Sequence, residues 1–124
     1  MTPQFLLDSN LLIYLLQGSV PHAAARLAAC PQQAVVTSSI CLAETLIGLT
    51  AFQAARLDDL LQQIDVLPFD AAAAEVYAQL PFKRRGFDRL IAAHALSCGL
   101  TIVTANTADF ADIPGLSVAD WTQP

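Results

Sequence analysis

The sequence predicts an α/β fold built on a parallel five-stranded sheet with helices on both faces, and three observations carry that reading. Short apolar runs alternate along the chain with longer segments of helical period. No two-residue hairpin signal joins any pair of those runs, so neighbouring strands must be parallel and connected by helices. The runs themselves are continuously apolar rather than alternating, as strands covered on both faces are. At 124 residues, the chain has the length of one domain, 1–124, with room for a single core.

The first strand is Gln4–Phe5–Leu6–Leu7–Asp8, which runs apolar and then ends abruptly in a carboxylate. Leu11, Leu12, Leu15 and Leu16 follow at helical spacing, and Gly18 closes that helix. Pro21 opens a second helix and Pro31 stops it, before the β-branched second strand Ala34–Thr37. Ser38 or Ser39 caps a helix over Ile40–Thr50 that carries Glu44. A further amphipathic helix runs from about Gln53 to Ile64, with Leu57, Leu60, Leu61 and Ile64 inward. Val66–Leu67–Pro68–Phe69 is a third strand, placed at an edge by its proline. Asp70 caps a helix through Ala71–Leu80, which Pro81 ends. After a basic loop, Asp88 begins an apolar helix over Leu90–Ser97, with Gly99 as its stop. Thr101–Thr104 is a fourth strand leading to Asn106 and Asp109, and Leu116–Val118 a short fifth.

Composition narrows the function. The chain is 55% hydrophobic and 14% charged, with a mean hydropathy of +0.50, too apolar for disorder. Its N-terminal apolar run Leu11–Leu16 is far short of the ~20 residues that span a bilayer, so no membrane association is expected. The N-terminus has no basic lead-in and carries Asp8 within its apolar stretch, unlike a signal peptide. The surplus of apolar residues points to a surface covered by a partner, most simply a second copy. Three cysteines, Cys30, Cys41 and Cys98, are widely spaced and read as small buried hydrophobes in a reducing cytoplasm.

Four acids should meet by topology. In right-handed βαβ units every helix begins at the edge where the strands end. Asp8 ends the first strand, Glu44 lies near the start of the helix after the second, Asp88 opens the helix before the fourth, and Asp109 follows the fourth. All four therefore project from one edge, where open α/β sheets bind ligands. Two unit charges ~4 Å apart repel by about 4 kcal/mol at an effective dielectric of 20, so such a group either holds protons or binds cations. Oxygen ligands favour Mg²⁺ or Mn²⁺ over zinc. Such an ion polarises a phosphoryl oxygen and activates water, giving hydrolysis without a protein nucleophile.

Net charge is −5; setting those four carboxylates aside leaves −1, while Lys83, Arg84, Arg85 and Arg89 supply four of the six basic residues within seven positions. A nearly neutral body with a basic spot beside an acidic site suits a phosphodiester, with Lys83, Arg84 and Arg85 as the substrate clamp. Each residue also has a plainer use. Asp8 can cap the helix after it, Glu44 can lie on an exposed stripe, Asp88 can serve as a helix-start acid, and Asp109 can be turn chemistry. The basic run can be a solvated loop. His94, within the apolar stretch Leu90–Leu96, reads as a hydrogen-bonded core histidine rather than a base.

The ordered motifs resemble those of PIN-domain proteins. Leu6–Leu7–Asp8–Ser9–Asn10 is similar to their opening motif, and Ser39–Ile40 with Ala43–Glu44 to their second. Asp88–Arg89–Leu90–Ile91–Ala92–Ala93–His94–Ala95 resembles the third, and Ile102–Asn106 through Asp109–Phe110 with Pro114–Gly115–Leu116 the closing segment. The match covers nearly the whole chain, at a length similar to the VapC-type toxins of toxin–antitoxin pairs. The resemblance implies a three-layer α/β/α sandwich with strand order 3-2-1-4-5, and a Mg²⁺- or Mn²⁺-dependent ribonuclease. It also implies that Asp8, Glu44, Asp88 and Asp109 hold the metal, that Thr104 supports the site, and that Asn10 and Asn106 stand near it. A homodimer inhibited by a cognate antitoxin protein is implied as well. The segment before Asp88 is shorter and more basic than in many relatives, and an additional acid that many carry there has no counterpart here.

The alternatives are a PIN-like module that is catalytically weak and works by binding RNA or protein, and two other acid-tipped α/β folds. A phosphohydrolase of the haloacid-dehalogenase type requires a second Asp two residues after the first, where this chain has Asn10. A receiver domain requires paired acids where this chain has Asp8–Ser9.

Overall fold

The computed structural model describes residues 2–81 and 86–124. Lys83, Arg84 and Arg85, expected to clamp substrate, lie outside the described residues. Five strands, β1 (Phe5–Leu7), β2 (Val35–Ser38), β3 (Asp65–Leu67), β4 (Thr101–Val103) and β5 (Val118–Ala119), form one sheet of order β3-β2-β1-β4-β5, and each pairing is parallel. The expected α/β architecture and strand order are therefore observed. Six α-helices are found among the described residues: α1 (Ser9–Gln17), α2 (Pro21–Ala29), α3 (Ser39–Leu46), α4 (Ala51–Leu60), α5 (Ala71–Gln79) and α6 (Phe87–Cys98).

β1 is the central strand, and its last two residues are completely covered. Leu6 and Leu7 are fully buried, together with Val36 of β2 and Ile102 and Val103 of β4. Burying a leucine contributes about 1.5–3 kcal/mol relative to leaving it exposed, so this short strand is held mainly by its neighbours on both faces. Register matters more than length for the site. Leu7 stands opposite Thr37 on one side and Val103 on the other. The next residue, Asp8, therefore leaves the sheet with Ser38 and Thr104 flanking it. Thr37 Oγ1 donates to the Leu7 carbonyl at 2.8 Å, and the Asp8 amide donates to the Val103 carbonyl at 3.1 Å. The tip of the central strand is thus pinned from both sides.

Several boundaries differ from the sequence reading. The helix expected over Ile40–Thr50 stops at Leu46, because Gly48 takes φ +74° and Thr50 caps a new helix. Thr50 and Gln53 exchange side-chain bonds in a capping box, so α4 begins at Ala51 rather than near Gln53 and ends at Leu60 rather than Ile64. β3 spans Asp65–Leu67 and lies at the sheet edge, as expected, while Pro68 falls just beyond it. β5 is Val118–Ala119 rather than Leu116–Val118. Gly99 in the left-handed region at φ +67° closes α6, a conformation that costs glycine no Cβ clash. The expectation that all three cysteines are buried holds for Cys41 alone: Cys30 is half-buried and Cys98 exposed, and all three are free thiols. Among the described residues no helix is long and apolar enough to cross a membrane.

Candidate active site

Asp8 is 4% exposed and does two things at once. Its Oδ1 accepts from the Leu11 amide at 2.8 Å, which makes it the N-cap of α1. Its Oδ2 accepts from Thr104 Oγ1 at 2.5 Å. Thr104 in turn accepts from the Asn106 amide at 2.9 Å, so the hydroxyl's single proton is directed at Asp8. The capping use and the site use of Asp8 are therefore not alternatives; each oxygen serves one.

The electrostatics of Asp8 are those of a strained acid. Its pKa is pushed from 3.8 up to about 6, mostly by burial. The bonds from Thr104 and Leu11 oppose the rise, and the nearby charges of Asp88 and Glu44 add to it. Two of the other candidate acids, Asp88 and Glu44, are thus within electrostatic reach of Asp8. Glu44 is half-buried on α3, where Ser9 Oγ donates to its Oε1 at 2.5 Å. Ser9 is buried and is the first residue of α1, so the bond ties the acid on α3 to the residue following Asp8.

α3 is itself fixed at its start. Ser38 caps it, accepting from the Ile40 amide at 3.1 Å, and its Oγ also meets His94 Nδ1 at 2.7 Å. His94 is 1% exposed and packs edge-on against Phe69, with burial lowering its pKa first and Asp70 opposing that. It is a hydrogen-bonded core histidine, as its apolar surroundings in sequence suggest. Ser39 Oγ accepts from the Phe69 amide at 3.0 Å, which binds the β3–α5 connection to the same corner.

Asp88 is exposed in the first turn of α6, whose N-cap Gly86 offers no side-chain bond. A carboxylate there also interacts favourably with the helix dipole. Asp109 is exposed in the 3-10 turn Thr107–Phe110, and its amide donates to the Asn106 carbonyl at 3.0 Å. Asn10 is exposed on the first turn of α1, and Asn106 is half-buried at the end of the β4 connection. Arg89 departs from its grouping with the basic run. It is buried, and both its terminal nitrogens donate to the Asp112 carboxylate at 3.0 Å. Ser9 and Asp112 are the participants that sequence reasoning passed over. Ser9 adjoins Asp8, but nothing local shows that its hydroxyl reaches Glu44, 35 positions away.

Among the described residues no three acids, histidines or cysteines stand close enough together to hold a metal ion between them. The donor chemistry fits a hard divalent cation nonetheless. A carboxylate whose pKa is pushed up by burial, with two acidic neighbours adding to the rise, is relieved by positive charge. Mg²⁺ keeps several waters and commonly takes only one or two carboxylates, so a closed protein cage is not required.

Comparison with known proteins agrees with this fold. The family model described as PIN domain matches residues 5–116. A tRNA(fMet)-specific endonuclease VapC of Shigella flexneri is 34% identical over 96% of this chain and 98% of its own length. Among solved structures, a DNA-bound VapBC complex from Salmonella typhimurium superposes with a TM-score of 0.85 at 28% identity, over 96% of this chain and 98% of that one. A toxin–antitoxin complex from Klebsiella pneumoniae does so with a TM-score of 0.75 at 32% identity, over 94% and 96% of the two chains.

Proposed function

This chain belongs to the PIN-domain family, and from that premise we propose that it is an endoribonuclease toxin of a toxin–antitoxin pair, cleaving RNA phosphodiester bonds with Mg²⁺ or Mn²⁺. One observation carries the reading: a buried, hydrogen-bonded acid at the tip of the central strand, flanked by two more acids, in a chain 34% identical to a VapC endonuclease. That relative's substrate makes tRNA(fMet) the first RNA to examine.

In this reading Asp8, Glu44, Asp88 and Asp109 hold the metal, directly or through water, and Asn10, Thr104 and Asn106 support them. When bound, the ion supplies a Lewis acid for the phosphoryl oxygen and lowers the pKa of the attacking water. The chain's own contribution is preorganisation. Thr104 donates its hydroxyl hydrogen bond to Asp8 and so favours the carboxylate over the acid, while Ser9 holds Glu44 in one orientation. The Leu11 amide fixes the plane of Asp8. Lys83, Arg84 and Arg85, in the segment before Asp88, draw the RNA backbone toward the acids.

The antitoxin partner is supported by the structural neighbours, which are toxin–antitoxin complexes. A cytoplasmic homodimer belongs to the same reading. Leu46, Ile47, Phe52 and Phe87 are large apolar side chains left exposed, between 54% and 79%, which a second copy and an antitoxin would cover.

The test is purified protein incubated with a total RNA pool, with Mn²⁺, with Mg²⁺ and with EDTA, followed by end mapping. Cleavage at discrete sites that is lost in EDTA and in Asp88→Asn is expected. Cleavage that survives both removes the metal-nuclease reading.

A further inference from the structure

Arg89 and Asp112 join two segments that each carry a candidate ligand. Arg89 directly follows Asp88 on the first turn of α6, and Asp112 lies three residues after Asp109. Arg89 Nη1 donates to Asp112 Oδ1 and Nη2 to Oδ2, both at 3.0 Å. The pair is asymmetric, since the arginine side chain is 6% exposed and the aspartate 58%.

Asp112 is flanked by Phe110 and Ile113, both in the core. Burial of those two holds the segment against the body of the protein, but burial is non-directional and leaves sliding or rotation against α6 open. A fork of two parallel bonds between planar groups sets orientation as well as distance, which a lysine or a single bond does not. The buried guanidinium also argues against Arg89 joining Lys83, Arg84 and Arg85 at the RNA backbone, because both its prongs are turned to Asp112.

We infer that Arg89 and Asp112 are a positioning pair, which sets the 3-10 turn bearing Asp109 in register with the first turn of α6 bearing Asp88. The role assigned to Asp109 rests on the ribonuclease reading above; the clamp itself does not.

The experiment has a metal-free arm and a kinetic arm, each on the whole chain. In Asp112→Asn without metal, amide exchange over residues 106–110 is expected to rise at least about tenfold, while that of Ile91–Cys98 stays unchanged. With RNA and Mn²⁺, kcat is expected to fall about tenfold with KM within about twofold, and the loss is absent when Asp109 is already Asn. Arg89→Lys keeps the charge, loses the fork and is expected to match Asp112→Asn; Asp112→Glu is expected to restore both readouts. Unchanged exchange over residues 106–110 in Asp112→Asn and Arg89→Lys overturns the inference. So does an undiminished kinetic loss in the Asp109→Asn background, which is what general destabilisation produces. If the unmodified protein neither cleaves RNA nor binds Mn²⁺, the ribonuclease reading fails, and the exchange arm still decides the clamp.

Discussion

The corner around Asp8 and the corner around Asp109 use opposite physics. Asp8 is buried and bonded through both oxygens to α1 and to the end of β4. Asp109 is exposed on a short 3-10 turn, and the segment is anchored by Phe110, Ile113 and the Arg89–Asp112 pair rather than by the acid itself. The first corner gains precision at a cost in stability, since a carboxylate is kept where its charge is disfavoured. The second keeps its acid hydrated and inexpensive, and relies on neighbours for position. The comparison teaches that one sheet edge can combine a rigid, electrostatically strained acid with others at an accessible rim.

Breaking the rigid corner should have the largest effect. Asp8→Asn is expected to lower RNA cleavage by about 10³-fold or more, a transition-state loss of about 4 kcal/mol. Asp109→Asn, at the hydrated rim, is expected to cost nearer tenfold. Single-turnover cleavage of one RNA by both variants checks the contrast, and equal losses would erase it.

The strain at Asp8 also has a pH signature. The folded chain holds this proton up to about pH 6, while the unfolded chain releases it near pH 3.8. The unfolded state therefore binds fewer protons between those values, and stability from this group falls as pH rises from about 4 to about 6, then stays level. The shift corresponds to at most about 3 kcal/mol. Urea unfolding across that window should show this decline in the unmodified protein relative to Asp8→Asn, which should be the more stable of the two at pH 8. A parallel pair of pH profiles would place the strain elsewhere.

Thr104→Val sharpens the same corner by removing only the hydroxyl. Asp8 loses a donor that lowers its pKa, and the Asn106 amide loses its acceptor. A destabilisation of about 1–3 kcal/mol is expected, larger at pH 8 than at pH 5 because the ionised form needs the donor more. Ser9→Ala is the mildest change. It leaves Asp8 in place and frees Glu44, with an expected cost of about 1 kcal/mol in stability and a weaker Mn²⁺ titration midpoint, readable by thermal shift.

Much of this could be read locally. Short continuous apolar runs mark strands covered on both faces, and Asp8 is recognisable because a buried run rarely ends in a charge. Helix starts at Pro21 and Asp70, and stops at Gly18 and Gly99, follow from backbone chemistry within a few residues. The break at Gly48 was equally local, and the Thr50–Gln53 capping box that enforces it is visible in the residues, but the apolar run Ile40–Thr50 masked it. β5, two residues at the sheet edge, carries too little pattern to be bounded from sequence.

The sequence by itself determined the alternation of strands and helices, and with it the edge to which Asp8, Glu44, Asp88 and Asp109 belong, because handedness and periodicity are properties of neighbouring residues. Only the tertiary structure decided what holds them. Ser9 reaches Glu44 across 35 positions, Thr104 reaches Asp8 across 96, and Arg89 leaves a run of like charges to pair with Asp112. Those pairings arise from the register of parallel strands and the packing of helices on them. A side chain's partner is set by three-dimensional proximity, which no local window of sequence contains.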